Sequence, residues 1–350
     1  MRITFVLPDL HLGGGNLVVA RYASGLAARG HEVTVVAQRS VPPNAATVLK
    51  TLLRERRLPS KPTSIVDRLA NVDVRLTSAT EIEQGDVLPA ADILVATWWR
   101  TVEWISSAGP EKGKQLHLVQ GHEVFDYLPR DRTRAVLRKS LPKVVVSKWL
   151  EGLMRDEYRA ADVHLVENAV DLSEFRTVAR AKNAVPTFGF VYSKSELKNS
   201  GLAVDALRVI RQEIPAVNSL SFGMEKRHPE PWIEYQHSPS RADIADLYAR
   251  CDAWLFTSVS EGFGLPILEA MASRTPVIAT PAGAAPQLVD SGNGQLVDLD
   301  LNSVVAALRF CRMSNSEWTT LSNNALRRAG KKTWDSATDK IETIFRSYQI

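Results

Sequence analysis

The chain has 350 residues, 45% of them apolar and 23% charged, with a formal net charge of +4. That length suits two domains, and no apolar run approaches the roughly 20 residues that span a bilayer. The charge excess sits in the first half, where residues 1–180 hold 25 Lys and Arg against 21 Asp and Glu. It is too dilute for a nucleic-acid-binding face.

Apolar strand-like runs and helical patterns alternate along the chain. "RITFVLP" reads as a strand, Asn16–Arg29 as a helix and "HEVTVVA" as a second strand, so the N-terminus is expected to be structural rather than a leader. Gly13, Gly14 and Gly15 lie between the first strand and its helix. The dinucleotide fingerprint fails there, because Val18 holds the third glycine position and Gln38 and Arg39 end the second strand without an acid. Further strands are predicted at 92–97, 115–120, 143–147 and 163–168. A polar stretch, 171–186, reads as a linker before the pattern restarts at 187–192. A helix at Gly201–Gln212, a strand at 219–223, a helix at Arg241–Ala249, a strand at 253–258 and the strand "PVIAT" follow. This is the pattern of two doubly wound parallel sheets in tandem. Ligands of such sheets bind at the carboxyl ends of the strands.

The most informative stretch is "SEGFGLPILEAMASRTPVIAT", Ser260–Thr280. Pro266 suits a first helical turn, and the Gly262-Phe263-Gly264 turn lets backbone approach a ligand. The amides of Gly264 to Ile267 at a helix start would attract an anion. Glu269, one turn in, and Glu261, on the loop, could each reach hydroxyls beside that anion, which describes a nucleotide sugar. Against this stands an ordinary helix start with acids favoured by the helix dipole.

The stretch resembles the E-x7-E motif of the retaining GT-B glycosyltransferases of the family 4, group 1 type, with Glu261 and Glu269 in the two positions. "GGGNLVVARYASGLAARGHEVTVV", "VVVSKWLEGLM", "ENAVDLSEF" and "TWDSATDKIETIF" resemble other segments of that family in the same order. The resemblance implies two Rossmann-like domains facing across a cleft. Residues 1–175 would bind the acceptor, 186–334 the nucleotide sugar, and a helix at 335–350 would return to the first domain. It places Glu269 on the ribose, Glu261 near the donor sugar and leaving phosphate, and the backbone of Gly262, Phe263, Gly264 and Leu265 against sugar and phosphate. Lys198 matches a diphosphate-binding lysine. Where the family has an arginine, this chain has Ser193 and Lys194, and Lys194 would substitute without an arginine's fork. Gly14 and Gly15 would line the donor phosphate, and His122 or Glu123 would approach the donor sugar.

The resulting expectation is a retaining, metal-independent hexosyltransferase of polysaccharide assembly, with no cofactor beyond its nucleotide-sugar substrate and no nucleic-acid partner. The acceptor would be a glycan, a lipid-linked sugar or a small molecule. A sugar-nucleotide-binding protein without catalysis, or an epimerase or phosphorylase of the same fold, is the alternative. Cys251 and Cys311 are expected to be buried thiols in a reducing cytoplasm. His117 is expected to be structural, Trp98 and Trp99 to be either a sugar platform or core, and Asp298 and Asp300 a turn and helix start. Basic amphipathic segments at 44–57 and Arg130–Lys148 suggest reversible docking on the inner, anionic face of the cell membrane.

Overall fold

The computed structural model describes residues 1–39, 64–84, 87–175, 177–214, 216–308 and 312–349. They form two compact units. The first contains Met1–Val145, Leu153–His164 and Thr338–Ile350, and the second Val146–Gly152 and Leu165–Ala337.

The first unit is built on strands β1 (Arg2–Leu7), β2 (Glu32–Gln38), β3 (Asp73–Thr77), β4 (Ile93–Ala96), β5 (Lys114–Val119), β6 (Lys143–Val145) and β7 (Val163–Leu165), in the spatial order β3-β2-β1-β4-β5-β6-β7. The pairs β1–β2, β1–β4, β2–β3, β4–β5 and β5–β6 are parallel. Helices α1 (Gly14–Ala28), α2 (Ala79–Gln84), α3 (Trp99–Trp104), α4 (Arg130–Arg138) and α5 (Lys148–Asp156) connect them. Parallel strands are covered on both faces and therefore read as continuous apolar runs. β1 shows this, with every residue after Arg2 buried. One core cluster joins Val6, Leu94, Trp99, Val102, Trp104 and Val136, with Trp98 half-buried against it. Trp99 is thus a core residue. The basic helix α4 spends its apolar side in the same way: Val136 and Leu137 are each 2% exposed. That corrects the expectation that this segment offers an apolar face to a membrane, since only its charged face remains outside. The other segment invoked for membrane docking, 44–57, lies outside the described residues. Among them no helix is long and apolar enough to cross a membrane.

The second unit repeats the plan with β8 (Thr187–Val191), β9 (Asn218–Gly223), β10 (Glu234–His237), β11 (Ala253–Phe256), β12 (Val277–Ala279) and β13 (Gly294–Leu296), in the order β10-β9-β8-β11-β12-β13 and parallel throughout. Its helices are α6 (Ser200–Glu213), α7 (Arg241–Arg250), α8 (Leu265–Ala272), α9 (Ala285–Leu288), α10 (Leu301–Leu308) and α11 (Asn315–Ala329), followed by α12 (Trp334–Arg346). In both sheets the strand order reverses beside the first strand, at β1/β4 and β8/β11. Such a switch point opens a crevice at the carboxyl ends of two diverging strands.

One segment sits differently from its sequence reading. The stretch 171–186, expected to be a linker, is anchored in the second unit. Phe175 is fully buried, its ring 6.0 Å from that of Tyr248, and Arg180 binds Asp252 at 3.0 Å. Arg180 also donates to the Ala249 and Cys251 carbonyls, and Asn183 to Asp252 and the Arg250 carbonyl, so a polar segment is ordered by hydrogen bonds to the second unit. The last helix serves the first unit from Thr338 onward: Ile341 and Phe345 are fully buried, and the Phe345 ring lies tilted against Phe5 at 6.4 Å. Asp300 caps α10 through Ser303. Cys251 is buried, with its thiol pKa pushed far up by burial, and Cys311 lies outside the described residues.

Candidate active site

The carboxyl ends of β8 and β11 bring two predicted residues together. Lys198 sits on the loop after β8, which is held by a turn from Lys198 N–H to the Ser195 carbonyl and by the Ser200 hydroxyl bonding back to Ser193. The loop after β11 is tied to it where Val259 N–H meets the Leu197 carbonyl at 2.8 Å. With both loops pinned, Lys198 Nζ reaches Glu261 Oε1 at 2.5 Å, and Ser258 Oγ donates to the same oxygen at 2.8 Å. Glu261 Oε2 has no partner among the described residues. The Glu261 side chain is 14% exposed and that of Lys198 35%, so both can meet a ligand while held by each other.

Directly after Glu261 the chain turns into α8. Gly264 has φ +95°, in the left-handed region, and a Cβ there would stand 2.8 Å from Phe256 Cζ. Glycine is required on both counts. Phe263 is buried, and its carbonyl accepts from Ala284 N–H at 2.8 Å, which fixes the loop against the segment after β12. Pro266 has no N–H and Ile267 N–H donates to the Gly264 carbonyl at 3.0 Å, so the amides of Gly264 and Leu265 are the ones at the positive end of the helix dipole. A cation and an acid therefore meet beside a helix start, an arrangement suited to an oxyanion next to a hydroxyl-bearing ring.

Glu269 is 7% exposed and already engaged. Arg241 Nη1 donates to one oxygen at 2.8 Å and Tyr248 OH to the other at 3.0 Å, while Arg241 also holds Glu174 and lies 4.6 Å over the Phe175 ring. A carboxylate accepts about four hydrogen bonds, so capacity remains for ligand hydroxyls. Lys194 stands apart: its ammonium is 74% exposed and pairs with Glu225 at 3.1 Å rather than with Glu261.

In the first unit, the glycine loop precedes α1, and Gly15 carbonyl accepts from Gln120 Nε2, beyond the end of β5, at 3.1 Å. Gly14 starts the helix with open space where a side chain would be. His122 Nε2 meets Tyr158 OH at 2.7 Å, and burial lowers the imidazole pKa below its ordinary value. Glu123 accepts the Trp99 N–H at 2.8 Å, and burial pushes its carboxyl up to about 8, against the effect of that bond. It is thus largely protonated at neutral pH. His117, buried in β5, has its pKa lowered to about 3 by burial and by nearby Lys143, as befits a structural histidine. Among the described residues no group of three or more His, Cys, Asp or Glu could hold a metal ion.

Sequence reasoning missed Arg241, Tyr248, Ser258, Gly283 and Ala284, which support the two glutamates from separate elements. Only Arg241 had a local signal, the capping box from Ser240 to Asp243 that starts α7.

Residues 12–174 match the family model described as Glycosyltransferase Family 4, and residues 185–311 the one described as Glycosyl transferases group 1. Each of these two stretches thus resembles one domain of such glycosyltransferases. The O-antigen chain mannosyltransferase B of Escherichia coli is 28% identical over 254 residues, covering 63% of this chain and 66% of that protein. A D-inositol 3-phosphate glycosyltransferase of Streptomyces avermitilis is 26% identical over 281 residues, covering 79% of this chain and 56% of that protein. The chain therefore spans less than two thirds of these curated relatives. The crystal structure of HepE from Anabaena in complex with UDP superposes with a TM-score of 0.76 at 18% identity, covering 99% of this chain and 100% of that one. At that identity the match establishes the GT-B fold, and the family's two domains coincide with the two sheets described above.

Proposed function

We propose that the protein is a glycosyltransferase that moves a sugar from a nucleotide-diphosphate donor to an acceptor hydroxyl with retention of configuration. The observation that carries this reading is the Lys198–Glu261 pair at the β8/β11 switch point, just before the start of α8. The names of the relatives, and the nucleotide held by a protein of the same fold, support the choice of donor class.

In this reading the second unit binds the nucleotide sugar. Lys198 and the α8 amides would face the diphosphate and stabilise the charge that develops as the sugar–phosphate bond breaks. Lys194, released from its exposed pair with Glu225, could add a second charge, since such surface pairs contribute about 0–1 kcal/mol. Glu261 would hold the donor sugar through its unpartnered oxygen, and Glu269 the ribose hydroxyls. From the first unit, His122 would offer an imidazole oriented by Tyr158, and Gly14 and Gly15 would supply backbone. Attack and departure on the same face let the leaving phosphate take the acceptor proton, so catalysis rests on positioning and electrostatics. Metal independence is part of the reading and is checked by adding chelator to the assay. The acceptor would be a glycan, a lipid-linked sugar or a small polyol. A cytoplasmic location, with contact to an anionic membrane through the charged face of α4, also belongs to the reading.

The test combines binding and turnover. Calorimetry with UDP, GDP, ADP and dTDP should select one base, and the matching nucleotide sugars should release that nucleotide only when an acceptor is supplied. Binding without any acceptor-dependent release would favour a non-catalytic sugar-nucleotide-binding protein. Release with inorganic phosphate instead of a sugar acceptor would favour phosphorolysis. The anomer of the product, read by NMR, decides retention.

A further inference from the structure

The loop after β1, Pro8–Gly13, contains a paired aspartate and histidine that no role above uses. Asp9 Oδ1 accepts from three donors: His11 N–H at 3.0 Å, Asn16 Nδ2 at 3.1 Å and the His11 ring nitrogen Nδ1. Asn16, buried in the first turn of α1, also donates to the main-chain carbonyls of Asp9 at 3.2 Å and His11 at 2.9 Å. The loop is therefore closed on itself, and the aspartate holds both the loop backbone and the imidazole. A carboxylate can only accept, so Nδ1 carries a proton, and Nε2 is the ring atom left to face outward.

Three observations indicate that Nε2 faces a ligand rather than the fold. The His11 side chain is 60% exposed. Nε2 has no hydrogen-bond partner among the described residues. Gly13 lies beside it, where a Cβ would stand 3.0 Å from Nε2. A structural histidine would have its far nitrogen covered or bonded, as His164 Nε2 is by Asp162 and Tyr348. The position is also informative: the loop stands at the carboxyl end of the first strand, at the β1/β4 switch point of the first unit, where open sheets bind ligands. Gln120, beyond the end of β5, bonds the same glycine loop.

We propose that the Asp9–His11 pair is an acceptor-binding element, in which His11 Nε2 hydrogen-bonds a hydroxyl of the acceptor and Asp9 fixes the direction of the ring. The ligand class is a polyol or sugar hydroxyl, because a hydroxyl both donates and accepts and so matches a single outward-facing imidazole nitrogen. This rests on the transferase reading and names a residue of its acceptor side.

His11→Asn and His11→Gln form the decisive pair of variants. Asparagine retains a donor to Asp9 and loses the atom at Nε2, whereas glutamine can place an amide oxygen near that point. The probes are octyl glycosides of glucose, mannose and galactose in both anomers, together with D-inositol 3-phosphate, each with the donor selected by calorimetry. The kcat/KM for the acceptor should fall about tenfold or more in His11→Asn, the size of one hydrogen bond to a ligand, and recover in part in His11→Gln. The KM for the donor and the nucleotide affinity should not move. Asp9→Asn should reproduce part of the loss. Equal acceptor kcat/KM in wild type and His11→Asn overturns the inference while leaving the transferase reading intact. A matching loss in nucleotide affinity would make the loop a structural element. Wild-type protein that binds nucleotide but transfers to no probe removes the transferase reading and the inference with it.

Discussion

At the scale of single residues, the two glutamates that attract notice in the sequence turn out to be unequal. Glu261 is held on one oxygen and open on the other, whereas Glu269 is buried between Arg241 and Tyr248. Truncating Glu269 to alanine would take one of two carboxylates from the half-buried Arg241 and leave the buried Tyr248 hydroxyl unpaired, a loss of about 1–3 kcal/mol of stability. Glu269→Gln is the cleaner probe: it should keep the fold, lower nucleotide affinity several-fold and leave binding of inorganic diphosphate unchanged, as calorimetry would read. Lys198→Ala should cost roughly 100-fold in turnover at saturating donor, by analogy with losing one preorganised charge stabiliser, with little change in melting temperature. Glu123 gives a pH prediction. Its folded pKa, about 8, lies above the ordinary carboxylate value because burial disfavours the charge. The native state therefore holds a proton that the unfolded chain has released, and this residue's contribution to stability falls as pH rises toward 8. Glu123→Gln should remove that fall: relative to wild type, its denaturant midpoint should improve steadily between pH 5 and pH 8. Parallel curves for the two proteins would refute the protonated assignment.

At the scale of elements, the loop into α8 is the most constrained part of the second unit. Gly264 combines φ +95° with van der Waals contact to Phe256. An alanine there costs about 1–2 kcal/mol for the left-handed backbone alone, before the contact with the ring is relieved. Gly264→Ala should lower the melting temperature and also weaken nucleotide binding, because the first-turn amides would be re-aimed. A stability loss with full affinity would mean those amides do not meet the diphosphate. The strands follow a second pattern. All ten expected strands are present, and the three missed, β3, β10 and β13, are outermost in their sheets. Edge strands are covered on fewer sides, so β10 has no buried residue and β3 only Thr77. The apolar runs that announce a central parallel strand are missing from them.

At the scale of the whole molecule, the chain leaves the first unit, builds the second and returns. Thr338, Ile341 and Phe345 are buried in the first unit, and Glu342 meets His31 at 3.0 Å. The folding of the first unit thus depends on residues that follow the second unit in the chain. Phe345→Ala should cost about 3–5 kcal/mol, and calorimetry should show it in one transition only. The transition raised by added nucleotide, which reports the second unit, should keep its midpoint. A single transition shifted as a whole would show that the units unfold together.

Much of this architecture was legible in the sequence because it is local. Uninterrupted apolar strands, Pro266 after Gly264 and the eight-residue spacing of Glu261 and Glu269 are consecutive facts, and the order of family-like segments followed from them. What only the tertiary structure decided is long-range. Lys198 and Glu261 meet across 63 residues, Arg241 reaches Glu269 across 28 and Glu174 across 67. The polar stretch around Phe175 is ordered by a ring it meets only in the fold. The Asp9–His11 pair is local, yet it was not legible either. Two polar residues in a loop after a strand are ordinary, and only the folded loop shows that the aspartate holds the near ring nitrogen while the far one is left to solvent. Periodicity records which side of an element is buried, but not which polar atom remains without a partner.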